Sequence, residues 1–136
     1  MKYKFIDSIT SDVLYEAYGK SLKELFESSA EALASIQCRI DEVEPKDPRL
    51  VEIKAENIDD LMIAWLQQII ALVDTEEMFF SKFDIQEISE TELKAEIWGE
   101  PISMEKGLTV VKAVTYYKFK LEKIKDEFKA TVSLDI

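Results

Sequence analysis

The 136-residue sequence predicts an α+β fold, a single domain with a largely antiparallel sheet or sheets and two packed α-helices. Three observations carry this expectation. Two segments alone have apolar residues at helical spacing, and strand-like alternation fills most of the second half. Only three Gly and three Pro occur, and no Ser-rich or Pro-rich run marks a linker. At 47% hydrophobic residues the chain can bury one core, roughly two-thirds of its unfolded surface, and it is too short for two ordinary domains.

Taken in order, "DVLYEAYG" reads as a strand closed by Gly19. "SLKE" follows as a capping box: Ser21 can accept from the amide of Glu24, and the Glu24 side chain can reach back. Leu22, Leu25, Phe26, Ala30, Leu33 and Ile36 then predict a helix over 22–37. "DEVEPKDP" is a polar connection, and "RLVEIKA" alternates as a strand with Val51 and Ile53 on one face. Asn57 caps a second helix, with Asp59 and Asp60 in its positive first turn. From Leu61 to Val73 that helix is apolar nearly all round, which places it deep between other elements. "DTEE" reads as a solvated connection after it. "FFSKFDIQEI", "ELKAEIWGE", "LTVVKAVTYYKFKLEKI" and "FKATVSLDI" read as strands. The third fits neither face cleanly and predicts a bulge or bend near residues 112–116.

The final alternation runs to the last residue, with Val132, Leu134 and Ile136 on one face and Thr131, Ser133 and Asp135 on the other. Docking of Ile136 would hold two carboxylates close together, that of Asp135 and that of the chain end. "LMIAWLQQIIALV", thirteen residues broken by two glutamines, is shorter than the about 20 apolar residues a membrane span needs. "MKYKFIDSIT" lacks the apolar region of a secretory signal, so a cytoplasmic protein without a membrane role is expected. A single cysteine excludes an intramolecular disulfide, and Cys38 reads as a small packed hydrophobe.

Composition excludes much chemistry. Twenty-eight acids against seventeen bases leave a net charge of −11, so direct nucleic-acid binding is not expected; a metal ion or a basic protein surface suits the charge better. Histidine is absent, which removes the commonest general base and the usual transition-metal ligand. Carboxylates, lysines, hydroxyls and backbone remain, an inventory that matches hard cations such as calcium or magnesium. No phosphate-cradling glycine loop occurs. Trp65, Trp98, Tyr116 and Tyr117 read as core.

Asp12 enters the first strand in "TSDV" and has two readings: a turn acid bonding local amides, or one member of a carboxylate cluster. The second holds if the last strand pairs beside the first, for Asp12, Asp135 and the carboxylate of Ile136 then converge. Two carboxylates about 5 Å apart repel by roughly 3 kcal/mol at an effective dielectric near 20, so such a cluster takes up protons or holds a cation. Lys112, flanked by apolar residues in an expected central strand, calls for a carboxylate partner or a function.

Several segments in order resemble the archease family, protein cofactors of the tRNA-splicing RNA ligase that joins 3′-phosphate to 5′-hydroxyl ends. They are "TSDVLYEAYGKSLKELFE", "LMIAWLQQIIALVDTEEMFFSKFDI", "WGEP", "VKAVTYY" and the closing "DI". The resemblance implies an α+β fold, a divalent cation near the chain end, calcium first with magnesium or manganese as alternatives, and a non-catalytic partner that promotes guanylylation and turnover of the ligase. Carried over by position, it implies metal ligands at Asp12, Asp135 and Ile136, and activity-linked charges at Glu24 and Lys112. Ile9, Gly107 and Tyr117 stand where the family commonly has histidine, and Gln67-Gln68 where it has an Asn/Asp-Glu pair. A scaffold or chaperone with a structural cation, and a carboxylate metal-dependent phosphohydrolase, are the competing functions.

Overall fold

A computed structural model describes residues 2–8 and 12–136. The chain runs β1 (Tyr3–Ser8), β2 (Asp12–Gly19), α1 (Leu22–Gln37), a 3-10 turn (Ile40–Glu42), β3 (Asp47–Lys54), α2 (Ile58–Glu76), β4 (Met78–Ile88), β5 (Glu92–Pro101), β6 (Ala113–Ile124) and β7 (Glu127–Asp135). One sheet has the order β1-β2-β7-β6 and the other β3-β5-β4, with every neighbouring pair antiparallel. Helix α1 touches β2 and β7 of the first sheet and β4 of the second; α2 touches β6 on one side and β3, β4 and β5 on the other. The helices therefore form a layer between the sheets. That position explains why α2 is apolar nearly all round, since water reaches neither of its broad faces.

Local chemistry sets each helix start. Ser21 Oγ accepts the Glu24 amide at 3.2 Å, but the Glu24 carboxylate reaches past Ser21 to the Lys20 amide at 2.7 Å. The reciprocal half of the capping box is thus shifted one residue upstream. Asn57 Oδ1 accepts the Asp60 amide at 2.8 Å, and its Nδ2 donates back to the Asp60 carboxylate at 3.2 Å. Gly19 lets β2 turn tightly into α1, because a Cβ there would collide with the backbone of Glu24 and Leu25.

Burial on α1 extends beyond one stripe, from Leu25, Phe26 and Leu33 to Ser28, Ser29, Ala30, Ala32 and Ala34. The small residues allow close approach to strands on two sides. Buried side-chain donors find α1 carbonyls: Tyr15 Oη donates to Ser29 O at 3.0 Å, and Trp65 Nε1 to Phe26 O at 2.9 Å. Trp65 also stands edge-on to Phe83, 6.4 Å between centroids, which ties α2 to β4.

Two strands at sheet edges are partly satisfied by helix side chains. The Ile85 amide on β4 donates to Glu27 Oε2 at 2.9 Å, while Lys23 Nζ donates to Ile85 O at 2.5 Å. On β6, the Val114 amide donates to Gln67 Oε1 at 3.2 Å.

The structure corrects several expectations. β1 is a strand that alternation over "YKF" was too short to announce, and a bulge at Ile6 interrupts it. The "DTEE" acids mostly belong to α2, whose last turn reaches Glu76 and ends on left-handed Glu77 (φ 53°). Arg49 of β3 pairs with Glu76 at 2.5 Å and offsets acid at the negative helix end. β6 begins at Ala113, not Leu108, because the preceding segment bonds to the end of α1: Leu108 and Thr109 amides donate to Gln37 O and Ile36 O, each at 3.0 Å. The bulge falls just past the expected place. Thr115 pairs with Ser133 and Lys120 with Thr131, so Tyr116–Phe119 loop out, with Lys118 left-handed (φ 54°). Tyr116 and Tyr117 are consequently exposed rather than core, with the Tyr116 hydroxyl on Asp60 at 2.7 Å. Trp98 is half-buried under the Lys82 ammonium, 5.3 Å from its ring centroid. Cys38 is a buried hydrophobe as expected, its thiol pushed up to about 12 by burial and, secondarily, by Glu100.

Candidate functional site

β2 and β7 pair without a break from Asp12 opposite Asp135 to Gly19 opposite Phe128. The last strand does lie beside "DVLYEAYG", and its register sets Asp12 against Asp135. Opposed residues of an antiparallel pair sit about 5 Å apart at Cα and project to one face, so the two carboxylates share a face. Val13, Tyr15, Ala17, Ala130, Val132 and Leu134 point into the helical layer. Asp12 and Asp135 therefore project from the opposite, outer face, both half-buried. Ile136 packs its side chain against the core, as the terminal alternation requires. Residues 9–11, with Ile9 and the "TS" of "TSDV", lie outside the described residues.

On the other side of β7, Ala113 is opposite Asp135, and the Lys112 amide donates to Asp135 O at 2.8 Å. Lys112 is exposed and precedes the strand, contrary to its expected burial in a central strand. Its side chain makes no ion pair among the described residues, and its engagement with the site is through the backbone. Glu24 lies at the far end of β2, beyond Gly19. Seven strand steps at about 3.3 Å separate the two ends of β2 by roughly 23 Å. The candidates thus fall into two groups: Asp12, Asp135, Ile136 and Lys112 together, and Glu24 apart in a capping role.

The donor set suits a hard cation. It is all oxygen, partly open to water, and neither aspartate is ion-paired among the described residues. No cluster of three or more Cys, Asp or Glu side chains with metal-binding placement occurs among the described residues, so a cation held by these two side chains would need further oxygen ligands. Gln67, noted in the sequence only as a departure from the family pattern, has a contact that sequence reasoning passed over. Its bond to the Val114 amide secures β6 one residue from Ala113, the neighbour of Asp135. Only the three-dimensional neighbourhood reveals it, because 47 residues separate donor and acceptor.

Farther along the same face, Glu16 accepts from the Tyr18 hydroxyl at 2.5 Å and pairs with Lys129 at 3.1 Å and Lys4 at 3.5 Å. The Tyr18 bond first, then Lys129 and Lys4, hold the Glu16 carboxyl below the usual range against opposing burial. Tyr18 is pushed up to about 12, chiefly by burial and then by Glu16. A depressed folded-state carboxyl stabilises the fold above its unfolded value and loses that contribution as pH falls through the folded one. Glu16→Gln is therefore expected to cost ~1 kcal/mol at pH 7 and almost nothing near pH 2. Urea titrations of both proteins at the two pH values check this; an equal loss at both would refute the electrostatic origin.

A sequence profile described as the archease protein family (MTH1598/TM1083) matches residues 3–136. The chain belongs to the archease family. A protein archease of Sulfurisphaera tokodaii is 35% identical over 139 residues, covering 99% of both chains. One from Pyrococcus abyssi is 36% identical over 123 residues, 86% of each. The solution structure of Methanobacterium thermoautotrophicum protein 1598 superposes with a TM-score of 0.81 at 31% identity and covers 98% of both chains. A Thermotoga maritima crystal structure, described as an archease and possible chaperone, has a TM-score of 0.71 at 22% identity and supports the fold alone. The two-helix α+β architecture expected of an archease is thus the observed one. No helix among the described residues is long and apolar enough to cross a membrane.

Proposed function

We propose that this chain is a non-catalytic, cation-holding cofactor of a tRNA-splicing RNA ligase, promoting guanylylation of the ligase and so its repeated turnover. Membership of the archease family supports the ligase as partner, and the opposition of Asp12 and Asp135 across the β2–β7 pair is the observation that carries the cation. On this reading Asp12, Asp135 and the carboxylate of Ile136 hold a divalent cation, calcium first and magnesium or manganese next. The cation supplies concentrated positive charge on an otherwise acidic surface. The chain's own residues position it: strand register fixes the aspartates, Ile136 anchors in the core, and Lys112 and Gln67 hold the flank. Glu24 keeps α1 capped and acts away from the cation.

Guanylylation of the cognate ligase, measured with and without this protein over a range of calcium and GTP concentrations, tests the reading. Faster guanylylation and multiple turnover are expected. No acceleration at any concentration would overturn it. A variant with two residues added after Ile136 separates the chain-end ligand from the side chains. It should bind calcium at least about tenfold more weakly, and unchanged affinity would remove Ile136 from the ligand set.

A further inference from the structure

The connection between β5 and β6 carries four large apolar residues into solvent. Ile102 is 45% exposed, Met104 97%, Leu108 51% and Val110 81%. Exposed apolar side chains on a fraying loop would carry little meaning, but this segment is tied down along its length. The Ile102 amide donates to Glu77 O at 2.9 Å, Lys106 O accepts from the Arg39 amide at 2.8 Å, and Leu108 and Thr109 cap the carbonyls at the end of α1. Gly107 bridges to Cys38, and a Cβ added there would be 3.4 Å from the Phe79 ring, so the segment is also packed on the small core of Cys38, Val43 and Phe79. Its far end is fixed by the Lys112 bond to Asp135. The backbone is anchored inward, and Met104 and Val110 are held outward.

We propose that Ile102–Val110 is a pre-formed docking ridge for a protein partner whose apolar cleft has a basic rim. Pre-organisation matters because ordering a free loop on binding would subtract from affinity. Charge selects the partner. Lys106 is committed to Glu100 at 2.9 Å, Arg39 to Glu42 and Lys46 to Glu44, which leaves Asp41 and Glu105 exposed without an ion-pair partner among the described residues against one such base, Lys112. With a net charge of −11, a second copy of this chain is electrostatically disfavoured as the occupant, whereas a basic surface is attracted. The ridge ends beside the aspartate pair, so a partner seated on it meets the candidate cation site as well. The inference rests on the ligase reading above and assigns the surface through which that partner is held.

Met104→Ser/Val110→Ser is the test, since both side chains are exposed and the double variant should keep its melting temperature. Binding to immobilised cognate ligase is expected to weaken at least about tenfold, and wild-type association should slow as salt rises from 50 to 500 mM. Calcium affinity should not change. Wild-type binding and activation with no loss in the double variant would overturn the ridge while leaving the ligase reading intact. Failure of wild type to bind the ligase at all would overturn both. A wild-type dimer in sedimentation that the double substitution dissolves would make the ridge a self-interface and overturn the proposal.

Discussion

Asp12→Asn and Asp135→Asn are each expected to weaken calcium binding at least about tenfold and to abolish most ligase activation. Each removes one of two charges that the β2–β7 register sets opposite each other. Tenfold corresponds to about 1.4 kcal/mol, modest for loss of an anionic ligand to a hard cation. Stability should respond with opposite signs in two conditions. Without divalent cations, Asn relieves carboxylate repulsion, discounted to ~1 kcal/mol because both groups are partly solvated. The variants should then melt a few degrees above wild type. With calcium in excess, wild type gains binding energy that the variants lack, and the order reverses. Calorimetric titration and paired melts in chelator and calcium check both statements. Equal calcium affinities in wild type and variants would remove the aspartates from the site.

Trp65→Ala should be the most damaging single core truncation, costing about 3–5 kcal/mol. Trp65 has no accessible surface, meets Phe83 edge-on and donates to Phe26 O at 2.9 Å. Against a typical total of about 5–15 kcal/mol, that loss leaves the domain marginal or unfolded. Trp65→Phe keeps much of the apolar volume and removes only the second hydrogen bond to Phe26 O, a carbonyl inside α1 that keeps its helical partner, so about 0.5–1.5 kcal/mol is expected. Urea unfolding of the three proteins gives the comparison. An alanine variant within 1 kcal/mol of wild type would contradict the role assigned to Trp65.

The elements legible in the sequence are those whose determinants are local. Ser21 and Asn57 announce α1 and α2 through caps three residues long, and β2 and β7 alternate over eight and nine residues with one face wholly apolar. The Asp12–Asp135 pair was legible for the same reason, once the two strands were placed side by side. What stayed hidden depends on partners distant in the chain. Residues 108–112 look like a strand by composition, yet the Leu108 and Thr109 amides are taken by the end of α1. Burial of Lys112 followed from that misplaced strand start. The exposed Tyr116 and Tyr117 depend on a register break that composition located only approximately. Glu24 was recognised as a capping residue, and its distance from Asp12 follows from the eight residues of "DVLYEAYG", a strand whose length the alternation did convey.

The bonds from Glu27 and Lys23 to Ile85, and from Gln67 to Val114, mean that two outer strands complete part of their pairing only when α1 and α2 are in place. A molecule whose helices have come loose therefore presents both uncovered apolar faces and open hydrogen-bonding strands at once. Loosening of the helices is therefore expected to favour intermolecular strand addition. The same side chains that finish the native sheets would then also oppose polymerisation.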